Sequence, residues 1–348
     1  MTMLDEAYER LHQTGPEFHG WLSNHGPMAV EAMIRRGHGD QVPRWLDQYC
    51  RRLEPVPSSV APIGRHWQEA LGDIRRVTDW TRHFDQALDE QSWRTVLNQW
   101  WPRLLPGIAA GATHGVIRVG HAVRALLLDG ESPGRLRELA HGMGYWASRW
   151  KPLDVPEELP NTETTIGAAL RVLPLVHGRD NGDGFDEWAP RMHEVPGWSE
   201  GVSKVFIPHD PIAVRQWLAQ VVDEAVVRYF RYGHGDAIML VHSATAPNAV
   251  WRIVPALEQR WWRDSARAAW IAMATLTAVY TPATSADDTG VSGIAPRPSA
   301  PDEAFSRAVE HGDEHVIKLA DTAVDVYRRT GDIRALNVIE RAATRISR

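Results

Sequence analysis

The chain has 348 residues, 43% of them hydrophobic, so it can bury a substantial core as one large domain or two ordinary ones. Its net charge is −6 and it has no polybasic tract, which gives no support to a nucleic-acid partner. The single cysteine, Cys50, excludes an internal disulfide and a thiolate metal cluster and fits a cytoplasmic protein. We expect no membrane partner, because the N-terminus is acidic and the most apolar run, 266–280, is short for a bilayer.

Apolar residues recur with helical spacing along nearly the whole chain, and strand-like alternation is hard to find. Pro27 suits the first turn of one of the helices, and Asp40 could cap the helix that follows it. The predicted helices cover 1–13, 27–34, 42–53, 64–87, 89–105, 108–128, 133–150, 162–173, 212–231, 237–247, 257–280, 302–310, 313–330 and 332–346. The pattern predicts an all-α fold, a single large helical domain over 1–348 built of packed helical hairpins with long irregular loops.

Three segments interrupt the helical pattern. Pro and Ser make 54–62 a linker, and the Pro-, Gly- and Asp-rich segment 151–211 is expected to be an irregular excursion that could serve as a lid. Segment 281–301 is expected to be a flexible loop. The 16 tryptophans could form core or line a pocket for a flat aromatic ligand, and composition does not choose between these.

The tripeptide His-Gly-Asp occurs three times, at 38–40, 234–236 and 311–313. Each copy lies between two predicted helices. Glycine suits a turn that ends a helix, and aspartate suits the cap of the next one. The tripeptide therefore predicts a helix-to-helix elbow, although its irregular spacing does not indicate a solenoid.

The stretch 111–126 carries the clearest polar pattern on a helix. Helical spacing places His114, Arg118 and His121 on one face, which is otherwise made of small residues. Such a face is poor design for an apolar core and better design for a buried polar site. Any one of these histidines alone is more typical of a surface or hydrogen-bonded core residue.

Histidines followed by small or helix-breaking residues also occur at His25 and His242, and His315 lies in a further helical segment. Lys318 lies three residues after His315 on the same face of an alanine-containing helix, where burial would lower the pKa of its amine. The alternative is a lysine that faces solvent on an amphipathic helix. Helical bundles often build metal sites from imidazoles on facing helices, and imidazole with oxygen ligands suits iron, zinc or copper.

Several common catalytic motifs are absent from the sequence. There is no G-x-G-x-x-G fingerprint, phosphate-binding loop, G-x-S-x-G elbow, H-E-x-x-H or C-x-x-C. A familiar nicotinamide or flavin fold, or a hydrolase of a familiar triad type, therefore has nothing to build on.

Four motifs together resemble the questin oxidase-like family. They are Asn24-His-Gly-Pro-Met-Ala29, Gly111-Ala-Thr-His-Gly-Val-Ile-Arg118, Val241-His-Ser-Ala-Thr-Ala246 and His311-Gly-Asp-Glu-His-Val-Ile-Lys318, and they span most of the chain. The resemblance implies a mostly helical, oxygen-using enzyme that cleaves a C–C bond of an aromatic polyketide quinone such as an anthraquinone. This chain looks shorter than the fungal members, which bears on the substrate pocket and lid more than on the metal site.

The same resemblance implies a non-haem iron site, with Fe(II) as the expected metal. Its ligands would be four imidazoles and a carboxylated lysine, with one histidine in reserve: His25, His114, His242, His315, Lys318, and His311 in reserve. Arg118 could stabilise a phenolate or peroxide anion, and His121 could hydrogen-bond a ligand or the substrate. The expected partners are a small aromatic substrate and O2, and the sequence leaves the oligomeric state open.

Two other functions remain compatible with the sequence. One is a metal-free or NADPH-assisted Baeyer–Villiger-type monooxygenase, in which histidines act as general bases on a hydroquinone. The other is a non-catalytic helical binding module whose histidines are satisfied core residues. The three readings differ in whether the four histidines converge and whether activity needs a metal.

Overall fold

The structure is a computed structural model that describes residues 2–153, 164–176, 184–284 and 300–347. It confirms the all-α fold, with sixteen α-helices in the described part of the chain. The chain divides into two compact units. The first contains 2–152 and 252–261, and the second contains the described residues of 153–251 and 262–347. The single domain remains a prediction, and most of segment 281–301 lies outside the described residues.

Seven helices and a small hairpin form the first unit. The helices are α1 Met3–His12, α2 Gly26–Arg35, α3 Val42–Tyr49, α4 Val77–Glu90, α5 Trp93–Leu104, α6 His114–Asp129 and α7 Pro133–Ser148. Strands β1 Glu17–Phe18 and β2 Leu22–Ser23 pair antiparallel, with Phe18 opposite Leu22. Two residues are too few to show strand periodicity, so the sequence pattern could not reveal this hairpin.

Helix α7 lies at the centre of the first unit, where it packs on α1, α4 and α6. Its approach to α6 is very close: a Cβ atom added to Gly115 would lie 2.7 Å from Cβ of Trp146. Trp100 meets the rings of Trp80 and Phe84 edge to face, and Trp80 stacks on Phe84. Because Trp80, Trp100 and Trp146 are buried among protein side chains, they serve as core.

The second unit consists of helices that stack as hairpins. They are α8 Ile166–Arg171, α9 Phe185–Trp188, α10 Trp198–Val202, α11 Pro211–Tyr232, α12 Ala237–Ile253, whose last two residues belong to the first unit, α13 Trp262–Tyr280, α14 Pro301–His311, α15 Glu314–Thr330 and α16 Ile333–Arg345. Helix α15 packs on α14, α16 and α11, and α11 also packs on α13. The described part of 151–211 contains the three short helices α8 to α10.

The predicted helix boundaries fail where a local backbone signal overrides periodicity. The helix predicted over 64–87 begins only at Val77, after two 3-10 turns. Gly72 separates those turns with φ +75°, and its N–H donates to the carbonyl of Ala147. The helix predicted to end at Pro247 continues to Ile253, because one proline removes only one hydrogen bond from a buried helix.

The His-Gly-Asp elbow is confirmed most fully at 311–313. Gly312 ends α14 in the left-handed conformation, and the Asp313 carboxylate caps α15 by accepting from the N–H groups of His315 and Val316. Asp236 likewise accepts from the N–H of Met239 in the first turn of α12. Asp40 was wrongly predicted as a cap: it lies inside a 3-10 turn that precedes α3, and no side chain caps that helix.

Among the described residues, every helix is too short or too polar to cross a membrane.

Candidate metal centre

His25 stands at the N-terminal end of α2, where its neighbours fix the backbone. Its N–H donates to the Tyr49 hydroxyl at 2.6 Å, and the Asn24 side chain accepts from the N–H of Gly26 at 2.9 Å. Pro27 then starts the helix with its fixed φ. The Asn-His-Gly-Pro sequence therefore places a buried imidazole at a defined point on the end of a helix.

His114 is the first residue of α6 and follows an unusual turn. The three residues before it, Gly111, Ala112 and Thr113, all have positive φ, at 52°, 53° and 71°. Ala and Thr rarely adopt this conformation, which is why the helix predicted from residue 108 begins only at His114. The turn brings the carbonyl of Gly111 to the His114 ring, and Nδ1–H donates to it at 2.5 Å. Nε2 of His114 is therefore the nitrogen left with a lone pair.

That lone pair points towards His25. The Nε2 atoms of His25 and His114 are 2.6 Å apart, and the two rings meet edge to face at 86°. One Nε2 accepts a hydrogen bond from the other, or both lone pairs turn to a cation. Two buried imidazoles whose Nε2 atoms face each other could supply two of the ligands of a tetrahedral metal site.

His242 and His315 form a second pair. Their rings stack with centroids 5.7 Å apart and planes 19° apart. His242 is fully buried in α12, where the residues that follow it are small. His315 lies in the first turn of α15, with Nδ1 3.4 Å from the capping carboxylate of Asp313. Burial would raise the pKa of Asp313, but hydrogen bonds and charge from His315 lower it, so the carboxylate stays ionised beside the ring.

The four histidines that the sequence singled out, here called the four-histidine group, form two pairs, one in each unit. His25 pairs with His114 in the first unit, and His242 pairs with His315 in the second. All four side chains are buried. Imidazole nitrogens are good ligands for iron, zinc and copper, so each pair could supply two ligands to such an ion.

Lys318 lies one turn after His315 in α15 and is only 1% exposed. Its Nζ has no hydrogen-bond partner among the described residues. Burial lowers the pKa of this amine to about 7, against a weaker opposing effect of the Glu314 and Asp313 carboxylates. The low exposure confirms the expectation of a buried rather than solvent-facing lysine, and a pKa of about 7 leaves a large fraction of the amine unprotonated near neutral pH.

Arg118 forms an ion pair with Glu138, a carboxylate that the sequence did not single out. Its Nε and Nη2 donate to the two oxygens of Glu138, at 2.6 and 2.9 Å, and His12 donates to the same carboxylate. Burial would raise the pKa of Glu138, but Arg118 and His12 hold it at about 2. Because Glu138 follows Arg135 and Arg137 in the sequence, no local signal distinguishes it from a solvent-exposed glutamate.

His121 also donates to a buried carboxylate. Its Nδ1–H bonds Oε2 of Glu31 at 2.8 Å, and Arg124 binds both oxygens of the same group. Burial and the charge of Arg124 lower the pKa of His121, although Glu31 opposes the shift, so the ring is neutral near pH 7. The helix face predicted at His114, Arg118 and His121 is thus polar and buried. Arg118 and His121 each donate a hydrogen bond to a buried glutamate.

His311, the reserve residue, is not a member of the four-histidine group. It ends α14, and its Nδ1 accepts from the N–H of Asp313 at 3.4 Å, which is long for a hydrogen bond. The structure therefore assigns His311 to the elbow that precedes α15.

Compared with models of protein families and with curated proteins, the chain matches none significantly.

Proposed function

We propose that this protein is a metal-dependent oxygenase that cleaves a C–C bond of an aromatic polyketide quinone. The observation that carries the proposal is that each unit buries a pair of imidazoles, His25 with His114 and His242 with His315, and we propose that the four bind one ion together. Four neutral nitrogen ligands without a thiolate favour a divalent ion such as Fe(II), zinc or copper. The resemblance to the questin oxidase-like family favours Fe(II) and supplies the substrate class.

Two contacts made by the chain's own residues support a bound ion. Gly111 accepts the Nδ1–H of His114 and so holds its Nε2 lone pair towards the centre. Asp313 caps α15 and lies beside the His315 ring. His121 is hydrogen-bonded to Glu31, which is paired with Arg124, and Arg118 is paired with Glu138. We therefore assign His121 and Arg118 to positioning α6 rather than to contact with substrate.

We further propose that Lys318 takes up carbon dioxide. Its unprotonated Nζ would form an N–C bond to CO2 and release one proton, which yields a carbamate that carries one negative charge. That anion would add an oxygen ligand and would relieve the burial of an unpaired amine. A bound Fe(II) would supply the capacity to bind and activate O2, which the side chains of the chain lack.

Metal analysis of protein purified without chelators tests the proposal most directly. We expect about one equivalent of iron per chain in preparations that consume O2 with a hydroxylated anthraquinone, and loss of turnover after chelation with recovery on adding Fe(II). NADPH is varied in the same assay. Active protein with less than about a tenth of an equivalent of any transition metal would overturn the metal site, and full turnover after exhaustive chelation would support the metal-free Baeyer–Villiger reaction instead.

A further inference from the structure

A cavity lies within the second unit, between α8, α11, the end of α15 and the start of α16. Its volume is about 330 Å³. Charged residues dominate its wall, four arginines against three carboxylates: Arg171, Arg228, Arg231, Arg334, Asp223, Glu224 and Asp332. None of these residues belongs to the four-histidine group.

Two of the three carboxylates are already neutralised by arginine. Asp332 accepts from the guanidinium of Arg334 at 2.6 Å, and Asp223 forms an ion pair with Arg329. Glu224 is the remaining carboxylate, and it forms no ion pair with any described residue. The three remaining guanidinium groups of the wall therefore outnumber the free carboxylates, which leaves a net positive charge.

Arg228 is the most informative of these residues. It is partly buried, its guanidinium stacks on the ring of Tyr232 at 4.4 Å, and its Nε is buried without a hydrogen-bond partner among the described residues. Burial, together with the charges of Arg231 and Arg171, lowers the pKa of this guanidinium against the opposing effects of Tyr232 and Glu224. The one exposed carboxylate of Glu224 therefore does not outweigh the burial of the cation and the like charges beside it.

We propose that this cavity binds a small polyanion with phosphoryl or carboxylate oxygens. A guanidinium group presents its donors as a planar fork that matches two oxygens of such a group, and Arg228 is already oriented by Tyr232. Arg231 and Arg171 would contribute further charge at the rim, where both are exposed. The volume fits a ligand the size of a sugar phosphate or a tricarboxylate. This site is independent of the proposed oxygenase activity.

Calorimetric titration of the whole protein with inorganic pyrophosphate and with citrate tests the proposal and separates the two oxygen chemistries. We expect saturable binding of at least one probe, which weakens with rising salt. Arg228→Gln should weaken it about 10- to 100-fold, because one charged hydrogen-bonding group is lost. Arg328→Gln, which removes an exposed arginine of α15 outside the cavity, is the control and should bind like the wild type.

Three outcomes would overturn the proposal. They are no saturable binding of either probe by the wild type up to millimolar concentration, binding unchanged in a folded Arg228→Gln variant, and equal weakening in the Arg328→Gln control. Circular dichroism melting of each variant establishes that it is folded. Should Arg228→Gln fail to fold, Arg231→Gln provides the same test at the exposed rim, with an expected loss in the same direction.

Discussion

A buried imidazole must satisfy two nitrogens, and in His114 the protein provides a partner for Nδ1 and leaves Nε2 to the centre. On the proposed function, one metal ion would satisfy the lone pairs of several imidazoles at once, which would lower the cost of burying them without a carboxylate for each. The loss of any one of the four histidines should then weaken metal binding by the other three.

Replacing His242 tests this at the most deeply buried member. We expect His242→Ala to weaken metal affinity at least tenfold, because one of four nitrogen ligands is lost. The metal content of the purified variant and of wild type, measured side by side, gives the readout. His311→Ala is the matched control, since His311 lies outside the group, and it should retain the metal. Equal metal content in His242→Ala and wild type would contradict the assignment.

The burial of Lys318 leads to a prediction about the stability of the fold as well as about metal binding. In metal-free, CO2-free protein its amine has a pKa of about 7, against 10.5 when unperturbed. Between pH 7 and 10.5 the amine is therefore protonated in the unfolded chain but not in the folded chain. The free energy of unfolding of the wild type should rise with pH across that window. At about 1.4 kcal/mol per pKa unit, the penalty near pH 7 is on the order of 4 kcal/mol.

Lys318→Met should therefore stabilise the metal-free fold at pH 7 by up to that amount while abolishing turnover. Its advantage over wild type should shrink as the pH rises towards 10.5. Urea unfolding of both proteins at several pH values measures the difference. A variant less stable than wild type at pH 7 would show that the amine is satisfied in the fold.

At the scale of helices, the contact of α6 with α7 decides how precisely His114 is held. Backbone and ring atoms of Trp146 fill the space beside Gly115. A glycine beside a ligand residue can leave room for a bound group. At Gly115, however, the space is filled by Trp146 of α7. Close packing of this kind tolerates no added methyl group without a backbone shift.

Gly115→Ala should therefore destabilise the protein by about 2 kcal/mol. Alanine would gain about 1 kcal/mol of helix propensity, but overpacking against Trp146 Cα and Cβ costs more. The midpoint of chemical unfolding measures the change. Gly64→Ala is the control, because no atom lies within 4 Å of its added Cβ and its φ is not positive. A stabilised Gly115→Ala variant would mean that α6 and α7 are more loosely packed than described.

The sequence predicted most helices of the fold because helical periodicity is a local signal. Caps at Ser132, Asp210 and Asp332 follow the same local rules. The failures are equally local in cause: the positive φ values at Ala112 and Thr113 belong to residues that rarely adopt them, so no propensity could place the start of α6.

At the scale of the whole chain, the site divides into a predictable and an unpredictable part. His25, His114 and His242 could be selected by their small neighbours and by resemblance, and His315 by resemblance and by its spacing from Lys318. The carboxylates that bind Arg118 and His121 could not be predicted. The pairing of Glu31 with His121 and Arg124 spans about ninety residues, and that of Arg118 with Glu138 depends on how α6 meets α7. Such contacts are tertiary and leave no periodic trace in the sequence.

The buried Glu138 makes the stability of the whole protein depend on pH in the acid range. Its pKa is about 2 in the folded chain, against a reference value of 4.5, so its contribution to stability is complete above pH 4.5 and is lost as the pH falls towards 2. That loss amounts to about 3 kcal/mol. Wild-type stability should therefore decline steeply through this window.

Glu138→Gln should be less stable than wild type at pH 7, since it leaves the Arg118 charge buried and uncompensated, and the difference should narrow as the pH falls from 4.5. Unfolding free energies at pH 7, 4.5 and 3 provide the test, with the exposed Glu9→Gln as control. A difference that stays constant with pH would show that Glu138 titrates alike in the folded and unfolded chains.

The left-handed turn before His114 also has a meaning for protein engineering. Thr113 is β-branched at φ 71°, and its hydroxyl is buried without a hydrogen-bond partner among the described residues, so the native sequence is frustrated at this position. Glycine or asparagine at 113 would relax the backbone, and a screen for thermal stability alone would favour them. The same substitutions would loosen the carbonyl that orients the imidazole. Selection for robustness and selection for turnover should therefore diverge at this one residue.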